Sequence, residues 1–145
     1  MPVFQVHVPA GRFSPEQKRG LGRALPLALH EALGIPVEDQ FVSITGHGPD
    51  ELFLDPGYMG MERSGDAVII TVLFTAERPL PDKRALARAI CQKTTEVLGI
   101  AGDDVFIALI PVPKENFSFG RGELQLAPTP TPEPDADHGH DKNPA

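Results

Sequence analysis

Few groups in this sequence could do chemistry, and the first candidate is not a side chain. Pro2 follows the start methionine. Methionine is normally trimmed before a residue as small as proline, so a free prolyl amine is the expected N-terminus. An α-amine titrates near pH ~7.7–8.0, and desolvation or a nearby cation moves it lower. Such a group can take up and return a proton near neutral pH as a general base or general acid. Its ring has no flexible arm, so the strand behind it is its mount. Arg78, in "TAERPLP", stands just past a strand end, where parallel-sheet sites gather. It reads as an anion grip or as a surface cation. Asp39, in "PVEDQF", lies between a helix and a strand, as does Asp104; each can be a plain turn aspartate. His7 alternates with strand residues and reads as structural, Cys91 as a buried inert thiol, and Glu77 as a partner for a nearby cation. Phe117 and Phe119 flank glycines and Arg121 in "PKENFSFGRGELQLA" (113–127), expected as a short hairpin. They are pocket walls or subunit contacts. The sequence contains no Ser–His–Asp set, phosphate loop or metal constellation, so no cofactor is expected.

The elements that must position these residues repeat. Sliding the chain by 65 positions lays 18–44 over 83–109 without a gap, with eleven identical pairs, among them Leu21/Leu86, Gly34/Gly99 and Asp39/Asp104. Each half reads strand, helix, strand. "VFQVHV" (3–8) has strand composition. "SPEQ" (14–17) is a helix start, with Ser14 as N-cap, Pro15 in the first turn and Gln17 closing a capping box. Leu21, Leu25, Ala28 and Leu29 recur at helical spacing, and Gly34 stops the helix. Pro26 falls inside it, where a kink is expected. The second half has an apolar strand at 67–74, a helix from about Asp82 to Leu98 and a strand at 104–112; strand two is placed at 40–45. Two βαβ units predict an α/β (α+β) fold: a four-stranded mixed sheet with two helices on one face. The other face is left bare, which calls for a symmetric oligomer.

Composition bounds what such a domain could bind. At 145 residues, 41% apolar and 23% charged, the chain suits one soluble globular domain. A formal charge of −7 and a pI near 5.1 argue against nucleic acid, which needs a basic face. One cysteine excludes an intramolecular disulfide and fits a reducing, cytoplasmic setting. No apolar run approaches the ~20 residues of a membrane helix. The folded part is placed at 2–127, in halves 2–64 and 65–127. The Pro/Asp-rich tail 128–145 holds no large apolar residue and is expected to be disordered; its "HGHD" is a chance pairing rather than a metal site. The long Gly/Pro-rich connection 46–66 is the kind of loop that carries function.

Together, the proline after Met1, the tandem βαβ halves, "HGPDELFLDPGYMGMERS" (47–64) and "DDVFIALIPVPKENFSFGRGE" (103–123) resemble the tautomerase superfamily, most nearly its malonate semialdehyde decarboxylase-like branch. The resemblance spans about 2–127 and implies a homotrimer acting on a small carboxylate-bearing substrate. It implies that Pro2 is the catalytic proline, Asp39 the aspartate that positions it or a water, and Arg78 the substrate-carboxylate arginine. Phe117, with Phe119 beside it, matches a hydrophobic wall. The decarboxylases carry Arg-Pro-Arg where this chain reads Ala76, Glu77, Arg78. The expected activity is therefore keto–enol tautomerisation of small 2-oxo acids. The alternatives are decarboxylation or hydration of a 3-oxo acid such as malonate semialdehyde, and a non-catalytic ligand-binding trimer.

Overall fold

The computed structural model describes residues 2–75 and 77–130. Expectations that rest on Met1, on Ala76 and on 131–145 (methionine trimming, the missing second arginine, most of the tail and its "HGHD") lie outside the described residues. Residues up to Val112 form one compact unit, and those from Pro113 a second.

In the first unit, β1 (Val3–Pro9), α1 (Pro15–Leu33) and β2 (Val42–His47) make one βαβ half. β3 (Val68–Phe74), α2 (Leu80–Leu98) and β4 (Val105–Pro111) make the other. Both bounds of α2 and of β3 lie 65 residues beyond those of α1 and β1, the offset of the repeat. The sheet order is β2-β1-β3-β4. Each half pairs its strands in parallel, and β1 runs antiparallel to β3 at the centre.

Local chemistry sets these bounds. The Ser14 hydroxyl accepts the Gln17 N–H at 3.1 Å, and the Gln17 side chain accepts the Ser14 N–H at 2.9 Å, completing the capping box. Gly34 and Gly99 close the two helices at φ 72° and 67°, a left-handed conformation that costs glycine least. α2 starts at Leu80, two residues before the sequence reading, because Pro79 and Pro81 fall at the N-cap and in the first turn, where a missing N–H costs nothing. β2 begins two residues late because a turn at 37–38 precedes it. α1 runs without a break through buried Pro26. Proline cannot donate to the carbonyl four residues back; instead the Gln40 side-chain amide lies 3.5 Å from the Gly22 carbonyl oxygen and takes up that role.

Phe4, Val6 and Val8 of β1 and Val68, Ile70, Val72 and Phe74 of β3 point to one sheet face, where they pack with Leu21, Leu25 and Leu29 of α1 and Leu86, Ile90 and Leu98 of α2. At about 1.5–3 kcal/mol per fully buried large aliphatic side chain, this layer dominates stability. One flaw sits in it: Thr94 on α2 is fully buried, and its Oγ1 has no hydrogen-bond partner among the described residues. Thr94→Val removes that hydroxyl at nearly constant shape and should stabilise the protein by about 1 kcal/mol. A higher urea midpoint checks this; a lower one would show that the hydroxyl is partnered.

The opposite sheet face carries Val3, Gln5 and His7 of β1 and Phe106 and Ile110 of β4, the last two 41% and 40% exposed. The second unit departs from the sequence reading. The hairpin expected around Arg121 is absent: residues 113–130 contain no strand, only a 3-10 turn at Lys114–Asn116 followed by turns. Gly120, Arg121 and Gly122 take φ of 142°, 63° and 71°, so the backbone coils where a ladder needs extension. The Gln125 side chain accepts the Phe119 N–H at 3.0 Å and donates to the Gly120 carbonyl at 3.1 Å, which holds this turn.

Candidate active site

Strand register decides which of the candidate residues meet. Phe4 pairs with Val42 in parallel, and its N–H reaches the Phe41 carbonyl at 2.8 Å. Pro2, just before β1, and Asp39, just before β2, therefore lie toward the same end of the two parallel strands. Val3 pairs with Leu73 in the antiparallel direction, so Pro2 falls opposite Phe74, the last residue of β3. Arg78 lies four residues beyond, just before α2. Pro2, Asp39 and Arg78 thus gather at one end of the sheet: the start of β1, the entry to β2 and the exit from β3.

Each is placed differently with respect to solvent. Pro2 is fully buried. Asp39 is half-buried in the turn after α1, its N–H donating to the Pro36 carbonyl at 3.1 Å. Its carboxylate accepts no hydrogen bond among the described residues. Arg78 is half-buried, with one guanidinium nitrogen 3.9 Å from the Asp82 carboxylate. A pair that long and that exposed is worth little and leaves the guanidinium free to turn to another anion. Glu77 does not compete, because Lys83 holds its carboxylate at 2.7 Å. In the second unit, Phe117 and Phe119 stack with ring centroids 6.0 Å apart and planes 10° from parallel.

The repeat mate of Asp39 has a different fate. Asp104 is 3% exposed. Its two carboxylate oxygens accept the Ser64 N–H and the Ser64 hydroxyl, both at 2.6 Å. Asp103 accepts the Glu62 N–H at 2.8 Å. Ser64 Oγ in turn accepts the Asp66 N–H at 3.1 Å, and Asp66 pairs with Arg12 at 2.9 Å. Asp104 is therefore more than a turn residue: it fastens the end of the long connection to the sheet. Both of its carboxylate oxygens are engaged, whereas those of Asp39 accept nothing among the described residues.

The far end of the sheet holds a concavity of about 560 Å³, lined by Arg12, His47, Phe53 and Ser64 among others. Pro2, Asp39 and Arg78 do not line the concavity, and its arginine is already committed to Asp66. We therefore centre the candidate site on Pro2. His7 Nδ1 and His47 Nε2 meet at 2.8 Å, with ring centroids 5.0 Å apart, tying β1 to β2 on the bare face. Only the register could reveal that pair, since forty residues separate the two. Cys91 is half-buried, and desolvation pushes its thiol above the ordinary range, consistent with an inert role.

Two βαβ units sharing one four-stranded mixed sheet match the fold of known tautomerase-superfamily structures. Residues 39–120 match one family model described as tautomerase enzyme, and residues 2–60 match another. The probable tautomerase YusQ of Bacillus subtilis (strain 168) is 32% identical over 118 residues, or 81% of this chain and 92% of that protein. The chain belongs to the tautomerase superfamily, in its malonate semialdehyde decarboxylase-like branch. FG41 malonate semialdehyde decarboxylase, solved inhibited by 3-bromopropiolate, is 33% identical with a TM-score of 0.77, covering 85% of this chain and 92% of that one. A second malonate semialdehyde decarboxylase, solved in wild-type, mutant and inactivated forms, is 27% identical with a TM-score of 0.76, covering 85% and 94%. A fused 4-OT, solved as a symmetric trimer, shares the fold at 24% identity and a TM-score of 0.70, covering 83% and 94%.

Proposed function

We propose that this protein is a keto–enol tautomerase of small 2-oxo acids that uses the Pro2 nitrogen, freed by loss of Met1, to move the proton. The observation that carries this reading is the convergence of Pro2, Asp39 and Arg78 at one end of the sheet, dictated by register rather than by sequence proximity. Arg78 grips the substrate carboxylate, bidentately where geometry allows, and steadies the negative charge of the dienolate. The Pro2 nitrogen removes the proton from one atom and returns it to another. The buried Pro2 ring holds that nitrogen in place. Asp39, with its carboxylate open, orients the prolyl ammonium or a water. A homotrimer, in line with the symmetric trimer of the fused 4-OT, would cover the bare sheet face.

Decarboxylation or hydration of a 3-oxo acid is the second reading, supported by the decarboxylase and hydratase activities ascribed to a relative at 27% identity. That relative's mutant form carries alanine in place of its first-residue proline, in line with a central role for the proline here. Turnover of phenylpyruvate enol, a 2-hydroxymuconate-type dienol and malonate semialdehyde, each against wild type and Pro2→Ala, separates the readings. Proline-dependent loss of the enols supports tautomerisation, and proline-dependent loss of malonate semialdehyde alone supports the second reading. Turnover of none, or turnover untouched by the substitution, leaves a non-catalytic trimer. Arg78→Gln should raise KM by about 10- to 100-fold, the equivalent of ~1.5–3 kcal/mol for a charge-assisted contact. An unchanged KM would remove Arg78 from the site.

A further inference from the structure

We propose that a groove between α1 and the edge strand β2, whose lining includes none of Pro2, Asp39 and Arg78, is a binding site for a small dianion. The groove has a volume of about 300 Å³ and is lined by Arg19, Gly22, Arg23, Gln40 and Val42. That size lies at the small end of ligand sites. Arg19 and Arg23 stand four residues apart on α1, so their side chains rise from the same helix face. Both are exposed, and neither forms an ion pair among the described residues, although the chain as a whole carries a formal charge of −7. Two like charges at this spacing repel and weaken a helix unless something neutralises them. A ligand with two negative charges would do so, because each guanidinium can hold one oxygen pair.

The groove floor points the same way. Glycine is a poor helix former, and α1 holds two between these charges or beside them. Gly20 has a packing reason, since a Cβ there would meet Val97 Cγ1 at 3.2 Å. Gly22 has none: a Cβ there would meet nothing within 4 Å, and the residue lines the groove. Its counterpart in the second half is Ala87. The bare glycine keeps the space between the arginines open. Pro26 leaves the Gly22 carbonyl without its helical donor, and the Gln40 amide at 3.5 Å covers that oxygen, which would otherwise repel an anion. The floor is thus open at Gly22 with its carbonyl covered by Gln40, and the positive charge comes from the two guanidinium groups.

The test is titration of the full-length protein with inorganic phosphate, succinate and acetate at low ionic strength and pH 7.5, followed by calorimetry and thermal shift. Saturable binding of phosphate or succinate, with acetate at least tenfold weaker, is expected; which dianion binds more tightly distinguishes a phosphoryl ligand from a dicarboxylate. Arg19→Gln/Arg23→Gln should weaken binding at least tenfold. Gly22→Ala should also weaken it by filling the floor, while raising the melting temperature because alanine favours the helix, so its loss of binding cannot be blamed on misfolding. Arg78→Gln should bind the dianion as wild type does. No saturable binding, equal binding of acetate, wild-type affinity in the double variant, or loss on Arg78→Gln instead would each overturn the proposal. Turnover at the Pro2 site is a separate readout, so either idea can fail alone.

Discussion

Pro2→Ala is expected to lower kcat/KM for an enol substrate by about 10²- to 10⁴-fold, the range that a positioned general acid–base group contributes. The variant still ends in an amine once methionine is removed, so the loss should be large but incomplete. What disappears is the ring. Proline ties its nitrogen to the backbone at a fixed φ, whereas an alanine amine rotates freely. A proton donor that wanders by an ångström loses much of the advantage of orientation. The fold should persist, because the strand behind Pro2 is anchored independently: Val3 pairs with Leu73, and the Phe4 N–H reaches the Phe41 carbonyl at 2.8 Å. Unchanged circular dichroism together with the loss of turnover is the expected pattern. Full activity in the variant would mean that the amine is not the proton carrier.

Asp104→Ala should destabilise the protein by about 3 kcal/mol, through the loss of two hydrogen bonds to a buried carboxylate and the stranding of the Ser64 N–H and hydroxyl. Both bonds are 2.6 Å long, and the group is 3% exposed, so water cannot readily replace it. The damage should spread along the connection. Asp66 loses the fixed Ser64 oxygen that accepts its N–H at 3.1 Å, and with it the footing of its 2.9 Å pair with Arg12. Limited proteolysis should therefore cut within 48–66 in the variant before it cuts wild type, and the urea midpoint should fall. Asp104→Asn keeps one acceptor oxygen and should lie between the two. Asp39→Ala, at the same repeat position, should leave the midpoint nearly unchanged, since its carboxylate accepts nothing among the described residues. Equal destabilisation by the two alanine variants would contradict the division of labour between them.

That contrast marks how much of the molecule was legible in its sequence. The 65-residue repeat carried the architecture because helix periodicity, caps and strand composition all act locally and recur together. It also predicted that Asp39 and Asp104 occupy equivalent places, but not that one would be consumed by a serine forty residues earlier in the chain. Such bonds depend on how a loop returns to the sheet, which leaves no periodic trace. The His7–His47 pair was hidden for the same reason. The hairpin expected around Arg121 failed on backbone geometry: three successive residues at positive φ coil the chain, and only the two glycines among them hinted at it. Pro26 looked like a defect in a helix and proved tolerable because Gln40, distant in sequence, stands near the carbonyl it frees. The candidate site was legible as a set of residues. Its assembly at one end of the sheet needed the register of β1 against both β2 and β3.

The central claim is that the Pro2 nitrogen is a free amine able to exchange a proton near neutral pH. The most direct measurement is an NMR titration of protein carrying ¹⁵N-proline, on material whose intact mass shows whether Met1 has been removed. The account predicts loss of Met1 and a Pro2 resonance that titrates near neutrality, neutral at the pH where enol turnover is fastest. Retained methionine, or a nitrogen still protonated well above neutral pH, would contradict it.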